Sequence, residues 1–181
     1  MAYRIQARVG VQAPAFAVWE IISALDTWQH WNPLFTEAEG RLSIGALLQL
    51  RRVHEGKREL HEVRVVDWVP NEQILWTRSL GLMATVMAYM EIEALSETAC
   101  VLSVGEIYDG LIGERIGEKK RRILTPGWKA LADAAKQRAE AAWDGTPGES
   151  LPPPPPSKKK SAARKMQLEQ MGILGRRKPM A

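Results

Sequence analysis

Residues 13–33 read APAFAVWEIISALDTWQHWNP, and the way this stretch ends decides the fold. Pro14 suits the first turn of a helix, where its missing N–H costs nothing. Phe16, Trp19, Ile22 (with Ile21) and Leu25 then recur at helical spacing, which makes one face apolar. The helix, with a short helical continuation, must stop before Pro33, because the residue preceding a proline is pushed out of the α region. Trp28 and Trp31 crowd that end three residues apart, and Asn32-Pro33 turns the chain into the second strand.

On either side of this helix the period changes to two. Upstream, Tyr3, Ile5, Ala7, Val9 and Val11 alternate with Arg4, Gln6 and Arg8, the pattern of a strand with one buried face. Downstream, from Phe35 to Tyr108, turn signals at Gly40, Gly45, Gly56, Pro70-Asn71, Gly81 and Ser96-Glu97 divide the chain into about six strand-like pieces. No βαβ rhythm appears, so an antiparallel meander is expected.

Helical spacing returns after Asp109. Ile112, Ile116, Ile123, Leu124, Trp128, Leu131, Ala135 and Ala142 mark one apolar stripe. Thr125-Pro126 reads as an N-cap and first position, giving a loop or short helix followed by a long helix over 126–143. One helix kinked at Pro126 is the alternative. The segment GLIGERIGEKK (110–120) follows no Rossmann-type unit and reads as a flexible stretch near a rim.

Composition narrows the function classes. The 181 residues are 45% hydrophobic and 25% charged, ordinary globular values for one domain with a tail. No apolar run approaches the roughly 20 residues that span a bilayer. MAYRIQARVG lacks the apolar core of a signal peptide, and one cysteine, Cys100, allows neither an internal disulfide nor a cysteine-based zinc site. The expected compartment is cytoplasmic. Residues 151–181 hold eight Lys/Arg against one acid, Glu169, a net of +7, so residues 1–150 carry −3 of the chain's +4. The basic character belongs to the tail, and no nucleic acid is expected on the folded part.

The element order resembles the START-like, or SRPBCC, superfamily, in its polyketide cyclase/dehydrase and lipid-transport-like branch. The likeness is carried by APAFAVWEIISALDTWQHWNP, GRLSIGALLQL, VVDWVPNEQILW and GEIYDG before the final helix, and covers roughly residues 3–143. It implies an α+β helix-grip fold: a curved antiparallel sheet of about seven strands wrapped around a long C-terminal helix. It also implies a cavity between sheet and helix, with the short segment of Trp28 and Trp31 against its mouth. Residues 1–145 would form this domain, and 146–181 a Pro-rich linker and basic, disordered tail.

Within that frame strand parity nominates the interior. Leu82, Ala84, Val86, Ala88, Met90 and Ile92 share one face of the sixth strand; Cys100, Leu102, Val104, Glu106 and Tyr108 share one face of the seventh. On the fifth, Ile74, Trp76 and Arg78 share a face. The fourth is mixed on both faces, with Leu60, Glu62, Arg64, Val66 and Trp68 opposing His61, Val63, Val65, Asp67 and Val69. The expected ligand contacts are Trp31, Trp76, Arg78, Ala88, Met90, Leu102, Val104, Glu106, Tyr108, Trp128 and Leu131. Glu106 is the candidate catalytic residue, since a carboxylate on an apolar face is either paired, with Arg64 or Arg78 as its cation, or raised in pKa. Each also has a plainer reading: tryptophans mostly pack, arginines mostly face solvent, and Cys100 reads as a small buried hydrophobe.

No metal spacing links His30, His54 and His61, no phosphate loop precedes a helix, and no serine stands in a nucleophile elbow, so neither metal nor cofactor is expected. The leading expectation is a binding or carrier module for a hydrophobic small molecule such as a lipid, polyketide or aromatic compound. One alternative is a cyclase/dehydratase-like enzyme acting on a polyketide or aromatic precursor. Another is an interaction protein whose tail, residues 158–181, meets an anionic surface or an acidic partner.

Overall fold

The computed structural model describes residues 2–143 and 145. The expected meander is present. Strands β2 (Phe35–Glu39), β3 (Leu47–His54), β4 (Lys57–Val69), β5 (Gln73–Ser79), β6 (Thr85–Ser96) and β7 (Ala99–Asp109) follow one another in space, each antiparallel to the last. β1 (Tyr3–Val11) closes the order beside β7, with Ile5 opposite Glu106 and Tyr3 opposite Tyr108. Helix α1 (Ala15–Ser23), a 3-10 turn at Leu25–Thr27 and the short helix α2 (Trp28–Trp31) connect β1 to β2. Helix α3 (Gly113–Ala142) crosses the inner face of the sheet.

The turn at the end of the first helical segment is built as its sequence demands. Trp28 is 1% exposed and donates its indole N–H to the Ile22 carbonyl at 3.1 Å. Asn32 Oδ1 accepts from the backbone N–H groups of Leu34 (3.0 Å) and Phe35 (2.9 Å), so the side chain itself turns the backbone into β2.

α3 runs unbroken through Pro126, so the single-helix alternative holds and no new helix starts at Thr125. An interior proline costs about 3 kcal/mol. Burying Leu124, Trp128 and Leu131 stabilises by roughly 1.5–3 kcal/mol each, which outweighs that cost. The segment 110–120 is helical from Gly113 onward: Gly113 and Gly117 lie one turn apart in the first part of α3, while Gly110 belongs to the turn before it. A Cβ on Gly117 would come within 2.7 Å of the Tyr3 ring, so glycine there sets how closely α3 approaches β1.

β4 resisted a parity reading because its register shifts between Val65 and Asp67. Before the shift His61, Val63 and Val65 are buried on the inner face. After it Trp68 packs against the core, ring to ring with Trp19 at 6.2 Å. Cys100 is buried among apolar neighbours, and burial pushes its thiol up to about 11, as suits a small hydrophobe.

Candidate functional site

Two rows of the sheet bring polar side chains onto the concave face. Register places Trp76 (β5), Ala88 (β6), Glu106 (β7) and Ile5 (β1) side by side. The next inward-facing row holds Arg78, Val86, Tyr108 and Tyr3. The Tyr108 hydroxyl donates to Glu106 Oε2 at 2.6 Å, and its environment holds the phenol well above its ordinary pKa, first through burial and then through the Glu106 charge. The cation paired with Glu106 is Arg52 of β3, whose Nη2 donates to Glu106 Oε1. Neither Arg64 nor Arg78 takes that place. Arg64 lies on the outer face and donates to the Gly45 carbonyl at 2.8 Å.

Arg52 reaches Glu106 only because the sheet curls. Strands β3 and β7 are four strand spacings apart, roughly 19 Å on a flat sheet, beyond the reach of the two side chains. The guanidinium is 1% exposed and stacks over Phe35 (5.5 Å) and Trp128 (5.7 Å). Phe35 in turn meets Trp28, Trp76 and Trp128 at ring distances of 5.6–6.0 Å. An ion pair is thereby enclosed in aromatic walls.

Arg78 and His61 extend this polar band. Burial depresses the Arg78 pKa, while the Glu106 charge opposes that shift. His61 is 7% exposed, and burial together with the Arg78 charge lowers its pKa to about 4, so the imidazole is neutral at pH 7. His61 Nε2 stands 3.2 Å from Glu59 Oε2, and His54 Nε2 3.8 Å from Glu59 Oε1. The hydrogen bond from His61 lowers the Glu59 pKa.

His54 leads outward to a cleft of about 420 Å³ between the β3–β4 turn and α3. Val53, His54, Glu55, Arg122, Ile123, Pro126 and Gly127 line it. Pro126 has no N–H for the Arg122 carbonyl, and both residues stand at the cleft wall. The exposed side chains of Leu82, Met83 and Leu111 stand on the loops after β5 and β7, which meet through the Ile112 N–H and the Met83 carbonyl.

Of the residues expected from sequence to contact a ligand, Glu106, Tyr108, Trp76, Trp128 and Arg78 come together in the polar band and its aromatic walls. Ala88 stands opposite Glu106, while Met90, Leu102, Val104 and Leu131 are fully buried in the apolar core. Trp31 is half-buried beside α2, donating to Thr27 Oγ1 at 3.3 Å. None of them lines the cleft. Sequence reasoning missed Arg52, His61, Glu59 and His54. The alternation Leu48, Leu50, Arg52 in β3 was the available signal for Arg52. Among the described residues no group of His, Cys, Asp or Glu is arranged to hold a metal ion, and no helix is long and apolar enough to cross a membrane.

This architecture, a curled seven-stranded antiparallel sheet gripping a long C-terminal helix, is the helix-grip fold of the START-like, SRPBCC superfamily. Solved structures match along most of the chain. The ZhuI aromatase/cyclase from Streptomyces sp. R1128 is 15% identical, with a TM-score of 0.62 over 77% of this chain and 94% of its own. A START superfamily protein from Mycobacterium smegmatis is 19% identical, with a TM-score of 0.61 over 76% and 97%. Norcoclaurine synthase from Thalictrum flavum, in complex with dopamine and hydroxybenzaldehyde, is 18% identical, with a TM-score of 0.59 over 79% and 89%. No protein-family model and no curated protein matches the sequence.

Proposed function

We propose that the chain binds a hydrophobic small molecule, entering between the β3–β4 turn and α3 and oriented by the polar band behind His54. The observation that supports this most is the gathering of Arg52, Glu106 and Tyr108 on a concave face that is apolar along most of its length. A few placed polar groups among aromatic and aliphatic walls are what a small-molecule site requires. The three structural neighbours share the fold and no more at their level of identity, so the proposal rests on this chain's own residues.

Glu106 acts in this reading as an anchor. Both its oxygens are already engaged, one by Arg52 and one by Tyr108, which favours a fixed charge over an acid/base group that must exchange a proton with substrate. The ligand class is a lipid, polyketide or aromatic compound, and the cytoplasm remains the proposed compartment. The expected linker and basic tail, 146–181, and the tail's contact with an anionic surface or acidic partner fall outside the described residues.

Native mass spectrometry of the purified protein, followed by denaturing extraction, tests the reading. An apolar molecule bound at near-stoichiometric amount is the expected result. A protein that is empty as purified, and whose melting temperature no lipid or aromatic compound in a panel shifts, would sink it.

A further inference from the structure

The polar band has more hydrogen-bond donors than it can use. Arg52 Nε, Arg78 Nη2 and Trp128 Nε1 are buried with no hydrogen-bond partner among the described residues. In the same band both oxygens of Glu106 and the hydroxyl of Tyr108 are engaged. His54 Nδ1, unpartnered at the cleft, donates or accepts according to its tautomer, while the other three unpartnered atoms can only donate. Buried polar atoms are rarely left unpaired, because each gives up its hydrogen bonds to water with nothing in return. Three buried donors without an acceptor favour a ligand group that accepts.

Charge gives the second constraint, independently of the donor count. Glu106 is matched by Arg52, the partner with which it forms its ion pair. Among the described residues Arg78 has no ion-pair partner, and Glu59, the other acid whose charge acts on it, faces His54 and His61. Across the cleft α3 adds Arg122 at the wall and Lys120 close enough to act on Glu59. Within the band one guanidinium charge is left without an anion of its own. Arg78 is partly open to solvent, unlike the buried Arg52, Glu106 and Tyr108.

From these two observations we infer that the ligand is an amphiphile with a carboxylate head group, held by Arg78 with its apolar body against the aromatic walls and the cleft. This rests on the proposed binding function and adds the head group to it. A planar carboxylate matches the fork of a guanidinium in two parallel hydrogen bonds, which a neutral amide or alcohol does not reproduce. Apolar bodies of either kind, a fused aromatic ring or an alkyl chain, satisfy the walls.

Isothermal titration calorimetry on the full chain at pH 7 tests the inference with two matched pairs: 2-naphthoate against 2-naphthamide, and decanoate against decanamide. At least one carboxylate is expected to bind tenfold or more tightly than its amide, and the preferred pair reports the aromatic or aliphatic body. Arg78→Met should abolish that preference while leaving amide affinity within threefold, and Arg78→Lys should restore part of it. Because the wild-type comparison needs no variant, a misfolded Arg78→Met protein leaves the test intact. Amides binding as tightly as carboxylates would overturn the carboxylate head group and leave the binding function standing. A preference that survives Arg78→Met would overturn the assignment to Arg78. If none of the four bound, both the inference and the cleft as a hydrophobic site would fall.

Discussion

Toward the β6–β7 turn the concave face carries Met90, Ile92, Cys100 and Leu102, none more than 5% exposed and all in one apolar cluster with Ala135 and Ala139 of α3. A few residues along the same two strands it carries Glu106 and Tyr108, equally buried, with Arg52 brought against them from four strands away. Both ends are closed to water, yet they are stabilised differently. The apolar end gains from dispersion and burial and leaves no polar group to satisfy. The polar end must balance the desolvation of a whole ion pair against its own attraction, a balance that is often neutral.

The largest effect that would break this comparison is expected from Glu106→Leu. It strands the Arg52 charge in aromatic surroundings, and urea unfolding should show a loss of about 3–5 kcal/mol. Adding Arg52→Met in the same chain should recover most of it. A double variant as unstable as the single one would mean that the pair is a net source of stability, not a balanced one.

At the apolar end Met90→Ala should cost about 2–5 kcal/mol by transfer and cavity terms, with no compensating second mutation at a charged site. Equilibrium denaturation of the two single variants side by side measures the contrast directly.

The pH response should come from the polar end. His61 binds its proton at about 4 in the folded chain, below the ordinary 6.5, so the unfolded chain takes up the proton first. Stability therefore declines as pH falls from 6.5 toward 4 and is not further affected by this group below that. Glu59, with its pKa lowered, adds a loss in the same direction below 4.5. Thermal unfolding between pH 7 and pH 4 should show the decline, and His61→Gln should flatten its upper part. An unchanged slope in that variant would place the titration elsewhere.

The smallest expected effect is Arg78→Met, which removes a cation that has no ion-pair partner among the described residues. Its melting curve should stay within about 1 kcal/mol of wild type, far from the change at Glu106. A large loss would turn Arg78 into a structural residue and erase the difference between the two ends.

Much of this contrast was legible in the chain. Strand parity placed Ala88, Met90, Leu102, Val104, Glu106 and Tyr108 together on the face that meets α3, because β6 and β7 keep their register across those rows. It did not reveal that Met87, Tyr89 and Ile107 on the opposite face are buried as well, and it counted Leu82, which lies exposed before β6. The same device failed on β4, where one shift between Val65 and Asp67 moves Trp68 onto the core side. It also missed Arg52: an arginine on a strand reads as solvent-facing until something shows a carboxylate within reach. Pro126 misled for a related reason. Local rules start a helix there, while the apolar face on both sides of it binds one continuous helix to the sheet.

What the sequence alone determined, then, is what short-range periodicity encodes: the order of strands and helices, the turn at Asn32-Pro33, and which residues of β6 and β7 share the face toward α3. The tertiary structure decided which distant residues share a site. Arg52 and Glu106 are 54 positions apart and four strands apart, and only the curl of the sheet brings them into contact. Curl is a property of the whole sheet closing over α3, set by twist summed across its strands, and no local run of residues contains it.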